Sequence, residues 1–308
     1  MNSGMQTTVH PVFHQNADIR VEPTDLILVA CDRTQFHVHR DHVTNSSTNS
    51  FAHLLTLPTD GELPLNEEAS LVSLILHMIY NIPFNSQPPP LIVLASFAAF
   101  QKYGLPIQQY FAPPSQLLDI AKAHLLQQSR EFAFELYARA SQHDLLELAK
   151  AASTNLLSLN FTTVDNSQIM QITPTYLQKI YSLQTGRMQK FLQLLQTPPP
   201  AHSWTSTCGA EERQHFLGNW TIRAGEILVA SPIPSESSFV TNSAPFFFLR
   251  PNSKATSSDV LRNELSTLEE SISCEDCKTS LRARVDRIVH GWEHTTVNVP
   301  PSPSISTN

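Results

Sequence analysis

Four residues near the end of the chain have the spacing of a zinc ligand set: Cys274-x2-Cys277-x12-His290-x3-His294. Two thiolates two residues apart, followed by two imidazoles on one helix, would supply the tetrahedral S2N2 donors of a two-cysteine, two-histidine finger. Such a finger also needs a small apolar core. Ile272 and Leu281 suit its first two core positions, but Arg287 stands where a leucine should pack, and no glycine follows Glu275-Asp276 to turn a hairpin. The same residues also read as one amphipathic helix from about Ser258 to Trp292, whose apolar stripe runs through Leu261, Leu265, Leu268, Ile272, Leu281, Val285 and Ile288. The helix accounts for more of the residues. It predicts structural thiols at Cys274 and Cys277 and no cofactor, with the Cys274, Cys277, His290, His294 metal set as the alternative.

Other chemistry-bearing residues point the same way. His37, His39 and His42 form a local imidazole cluster, but no cysteine or carboxylate stands at ligand spacing beside them, so hydrogen-bonded structural histidines are expected. The carboxylate pairs Glu67-Glu68, Glu211-Glu212 and Glu269-Glu270 are adjacent in sequence, where a helix points them apart and solvent keeps both ionised. The sequence has no lysine-bearing phosphate loop, dinucleotide glycine fingerprint, metalloprotease zinc helix or serine nucleophile elbow. No enzyme activity is expected.

The elements that must position these residues follow from composition and period. The 308 residues are 41% hydrophobic and 15% charged, which suits a folded chain of one or two domains, and 22 prolines against 8 glycines favour helices bounded by proline stops. A net charge of −7 gives no overall footprint for nucleic acid, and between residues 274 and 294 four basic residues are balanced by four acidic ones. The longest apolar run, Leu91 to Phe100, is half of what a bilayer helix needs, and the N-terminus lacks a secretory pattern. An intracellular protein, cytoplasmic or nuclear, is expected, with no membrane association.

Two short strand-like runs, Asp25 to Ala30 and Thr34 to Val38, are joined by Cys31-Asp32-Arg33 as a hairpin, with Phe36 and Val38 facing inward. Short helices are expected around His39 to Thr44 and Ser50 to Leu55, and a third strand at Glu62 to Leu65. Leu71, Leu74, Ile75, Met78 and Ile79 then recur at helical spacing after Glu67-Glu68, and a second helix runs from Leu91 to Tyr103. The expected division is a flexible leader over 1–16, an α+β domain over 17–112 and an all-α extension over 113–197. A loop-rich insertion over 198–253, a terminal amphipathic helix over 254–295 and a disordered tail over 296–308 complete it.

Asp25 to Val29, a short turn and Phe36-His37-Val38-His39-Arg40 resemble the opening of a BTB/POZ domain. Ser50-Phe51 and Leu54-Leu55 are similar to the helix that follows in that family, Leu63 to Leu65 with Glu67-Glu68 to the next strand and helix start, and His77 to Tyr80 to the end of that helix. Ala98-Ala99-x2-Lys102-Tyr103-Gly104-Leu105 resembles the alanine-rich helix that closes the domain with a lysine–tyrosine pair. Leu136 to Ala140 and Glu147 to Ala152 look like the helical extension of fungal BTB proteins. The resemblance implies a small three-stranded sheet flanked by helices, a homodimer and a protein-interaction role. By the same resemblance Asp25, His39 and Arg40 would line a charged partner or dimer groove, or Asp25 and Arg40 would form an ion pair supporting the fold. Some relatives of this kind are cullin ubiquitin-ligase adaptors; here Asp60 stands where their loop carries a hydrophobic residue, in Thr59 to Glu62. A zinc-containing DNA-binding regulator is the third reading.

Overall fold

The computed structural model describes residues 7–17, 22–56, 61–156, 164–203, 208–230 and 258–293. The fold is α+β, and the chain divides into two compact units, Met1–Leu156 and Leu157–Asn308. None of the helices among the described residues is long and apolar enough to cross a membrane.

In the first unit, β1 (Thr8–Val9), β2 (Leu26–Val29), β3 (Thr34–Val38) and β4 (Glu62–Pro64) form a mixed sheet in the order β1-β3-β2-β4. The predicted hairpin is present: β2 and β3 pair antiparallel with Leu28 opposite Phe36, while β4 adds parallel to β2 with Leu63 beside Leu28. Leu26, Leu28, Phe36, Val38 and Leu63 are buried, so the period-2 alternation puts one face of the sheet into the core. The predicted three strands gain a fourth because β1 pairs parallel to the outer edge of β3. Residues 7–16 are accordingly no flexible leader. Phe13 is fully buried, its carbonyl accepts from the His37 N–H, and its ring packs against Phe36, His77 and Tyr80.

After α1 (Arg40–Asn45), the short helix expected over Ser50 to Leu55 is helical only at its end, as a 3-10 turn over Leu54–Thr56, and begins as a left-handed turn: Ser50, Phe51, Ala52 and His53 all have φ between 53° and 62°. Each such residue costs about 1–2 kcal/mol, so local partners must hold the turn. Ser47 Oγ accepts from the Phe51 N–H, Asn49 Oδ1 accepts from the Ala52 N–H, and the Phe51 ring is buried flat against Tyr103 at 4.1 Å. The turn docks on the end of the α3 helix (Pro90–Lys102) through Gly104, whose carbonyl accepts from the Thr48 N–H and whose positive φ leaves no room for a Cβ beside Asn49.

Helix α2 (Ala69–Tyr80) buries Val72, Leu74, Ile75, Leu76 and Ile79 and packs on α3, which starts one residue before the expected Leu91, with Pro90 in its first turn. The expected boundary near Ala112 is not where the first unit ends. After α4 (Ile107–Tyr110), helices α5 (Gln116–Leu125), α6 (Arg130–Gln142) and α7 (Leu146–Leu156) belong to it as well. Phe97 of α3 stacks on Phe111 and on His143 beyond α6, which carries one apolar core from α3 through α6.

The second unit contains α8 (Asn166–Ile169), α9 (Pro174–Gln196), α10 (Ala210–Ala230), α11 (Ser258–Ser266) and α12 (Glu275–Glu293). Part of the expected loop-rich insertion is therefore the helix α10, with Phe216, Trp220, Ala224 and Ile227 buried at helical spacing among Phe191, Leu195, Leu261, Leu265 and Leu281. The aromatic cluster Phe246 to Phe248 and the tail from residue 294 lie outside the described residues. The single terminal helix is broken. A 3-10 turn, Thr267–Ser271, ends α11, and Ile272 is extended before α12 begins at Glu275.

Candidate functional site

Asp25, His39 and Arg40 meet where β3 gives way to α1. His39 is only 3% exposed and is held at both ring nitrogens: Nε2 lies 2.8 Å from the Glu22 carbonyl oxygen and Nδ1 3.0 Å from the Tyr80 hydroxyl. A carbonyl only accepts, so Nε2 carries the proton and Tyr80 donates to Nδ1. The same hydroxyl accepts from the His39 N–H at 2.8 Å. The ring thus fastens the end of the sheet to the last turn of α2 and does not line a groove. The His42 ring packs against Tyr80 as well, so two of the three clustered histidines are structural.

The exposed Asp25 side chain accepts from the Arg40 backbone N–H at 2.7 Å, satisfying one of the unpaired amides of the first turn of α1. The Arg40 guanidinium reaches the Leu55 carbonyl at 3.4 Å. The ion pair expected between the two side chains is replaced by a carboxylate–amide bond, because the carboxylate sits directly over the start of the helix. Of the loop expected to meet a cullin, Thr59 and Asp60 lie outside the described residues.

A tighter cluster joins the start of α2 to the end of α3. Glu67 accepts from Lys102 Nζ at 2.6 Å and from the Tyr103 hydroxyl, and its carboxylate side chain is only 11% exposed. Burial pushes the Glu67 carboxyl up, but these two donors outweigh it and hold it below the usual carboxylate range. Burial and the neighbouring carboxylate raise the Tyr103 hydroxyl well above its ordinary value, so it remains a donor. The Glu67 carbonyl also accepts from the Cys31 N–H, while Asp32 Oδ2 accepts from the Ala69 N–H, which locks the β2–β3 turn to the start of α2.

In the second unit, Cys274 and Cys277 converge with residues other than those the finger spacing named. His202, Cys208, Cys274 and Cys277 place one ligand atom each within 4.8 Å of one another. His290 is exposed and stands on the same helix as Cys277, thirteen residues on, or about 20 Å along the axis, so it cannot join them. His294 lies outside the described residues. The break at residues 272–274 is what brings the thiols inward: Cys274 immediately precedes α12 and Cys277 lies in its first turn, a geometry that a continuous helix would not produce. Glu275 and Asp276, expected within one continuous helix, are the acidic first turn of a new one. Sequence reasoning missed His202 and Cys208; the pair His202-x5-Cys208 was its local signal.

Comparison of the chain with protein-family models, with curated proteins and with solved structures finds no match.

Proposed function

We propose that the chain is a non-enzymatic protein-interaction module of the BTB/POZ kind, acting inside the cell, in cytoplasm or nucleus, as a homodimer that presents its first unit to partner proteins. The observation that carries this reading is the Glu67–Lys102–Tyr103 cluster. Two segments that resemble that family, the helix start at Glu67-Glu68 and the closing Lys102-Tyr103, lock together through one carboxylate. The hairpin of β2 and β3 with β4 parallel to β2, and the packed pair of α2 and α3, are further support. The exposed Asp25 and half-buried Arg40 at the start of α1 offer a polar surface to a partner.

Light scattering on the full chain after size exclusion tests the reading. Twice the chain mass at micromolar concentration is the expected result, because an interface of this kind should bury well over about 1,200 Å². A monomer at that concentration counts against it. Affinity purification from native cells then identifies the partner, and recovery of a cullin would extend the role to a ubiquitin-ligase adaptor.

A further inference from the structure

We infer that His202, Cys208, Cys274 and Cys277 form a closed structural zinc site in the second unit. The distances carry the argument. Four donors placed about 2.0–2.3 Å from a central zinc at tetrahedral angles lie about 3.4–3.8 Å from one another. Here Cys208 Sγ is 3.6 Å from Cys277 Sγ, and His202 Nε2 is 3.5 Å from Cys274 Sγ and 3.1 Å from Cys277 Sγ. These three edges lie within about half an ångström of those of a coordination tetrahedron, and all four ligand atoms lie within 4.8 Å of one another.

The donors have the right chemistry and support. Three thiols and one imidazole are a donor set of structural zinc, with no position left open for a substrate. His202 Nδ1 lies 2.5 Å from the Ser203 carbonyl oxygen, which accepts its proton and leaves the Nε2 lone pair facing the sulfurs. The His202 carbonyl in turn accepts from Arg213 Nη2, so the loop carrying the imidazole is anchored to α10. All three cysteines are buried, and the first turn of α12 aims backbone N–H groups at Cys274 Sγ from Cys277 and Asp276. A divalent cation at the centre of three sulfurs would bind them as thiolates and offset the repulsion among those charges. The cluster borders a surface cleft lined by Glu212, His215, Phe216 and Ile272, which gives an ion a way in.

The test uses the full chain, purified under reducing conditions without chelator, with metal content measured by mass spectrometry. One equivalent of zinc per chain is expected. It should be lost in Cys208→Ser and His202→Ala, retained in His202→Cys, and retained in His290→Ala. Cobalt titration of the wild-type chain after zinc removal gives a readout that does not depend on any variant folding: thiolate-to-cobalt charge transfer and the intense d–d bands of a tetrahedral site are expected. A chain that carries no zinc and gives no such cobalt spectrum would overturn the inference. So would a Cys208–Cys277 disulfide in protein isolated under these conditions, or zinc lost from His290→Ala and kept by His202→Ala.

Discussion

The guanidinium of Arg284, on α12, caps the C-terminal end of α9: its Nη2 donates to the Leu194 carbonyl at 2.6 Å and its Nε to the Thr197 carbonyl at 3.0 Å. A helix leaves its last four carbonyls without intrahelical donors, and a cation there also meets the negative end of the helix dipole. Trp220 of α10 donates to the Leu195 carbonyl at 3.2 Å, so α10 and α12 share the task of closing α9. Beyond that end, Ser280 Oγ donates to the Pro200 carbonyl and holds the chain on its way to His202.

Arg284→Ala should therefore destabilise the second unit by about 3 kcal/mol, since it orphans two carbonyls that a buried charged donor had satisfied. The expected reading is a lower denaturant midpoint, with faster amide exchange around α9 and the first turns of α12. Arg284→Lys should recover only part of the loss, because an ammonium cannot reproduce the two-pronged geometry. Wild-type exchange in the alanine variant would show that the carbonyls find other donors.

Glu67 accepts from one exposed and one buried partner, and the two should differ in worth. Lys102 is 42% exposed on its side chain, so Lys102→Ala should cost less than about 1 kcal/mol. Tyr103 lies in the core against Phe51, and Tyr103→Phe keeps the stack while removing the donor, at a cost of about 1–2 kcal/mol. Glu67→Gln should be similarly costly, and the double variant less than the sum of the two, with a coupling of about 1 kcal/mol in a mutant cycle. Additive effects would mean that the hydroxyl and the carboxylate do not act as a pair.

For Asp25 the geometry replaces a large expected effect by a modest one. Two facing buried charges would make truncation cost about 3–5 kcal/mol, but an exposed carboxylate on a helix-start amide is worth about 1 kcal/mol. Asp25→Asn keeps an acceptor oxygen and should unfold close to wild type, whereas Asp25→Ala should lose about that 1 kcal/mol. Urea midpoints at constant slope measure both. A loss above 3 kcal/mol in the asparagine variant would restore the ion-pair reading.

What was legible in the sequence is what local period encodes. Leu26 and Leu28 against Phe36 and Val38 gave the hairpin, and the three-and-four spacing from Leu71 to Ile79 gave α2, because each pattern states which face is buried. The left-handed turn at Ser50 to His53 was not legible, since it depends on Ser47 and Asn49 side chains and on a tyrosine more than fifty residues on. β1 is two residues long and is held by pairing across the chain to Thr34 and Gln35, below the length at which alternation can be read. The cysteine cluster shows a third kind of miss. Cys274 and Cys277 were visible as a pair, but His290 stands far along the same helix, and the partners that meet the two thiols come from 66 to 75 residues away.

His10 gives the first unit a pH dependence whose window can be stated. Its ring stacks on Phe36 at 4.7 Å, and its Nδ1 accepts from the backbone N–H groups of Val12 and Phe13 at 3.2 and 3.4 Å. An acceptor nitrogen must be unprotonated, and burial, followed by the neighbouring His77, lowers the pKa to about 4 from the ordinary 6.5. His77 is itself lowered by burial, against the Ser73 carbonyl that favours its charged form. A histidine whose folded pKa lies below its unfolded one contributes stability above the unfolded value and loses it as pH falls toward the folded one. Stability should therefore decline between about pH 6.5 and 4. His10→Phe removes the titrating group while keeping an aromatic ring on Phe36. Its stability is expected to be lower than wild type at pH 7.5, where the two amides lose their acceptor, and to fall less steeply between pH 6.5 and 4.5. Parallel curves for the two proteins across that interval would show that the decline arises elsewhere.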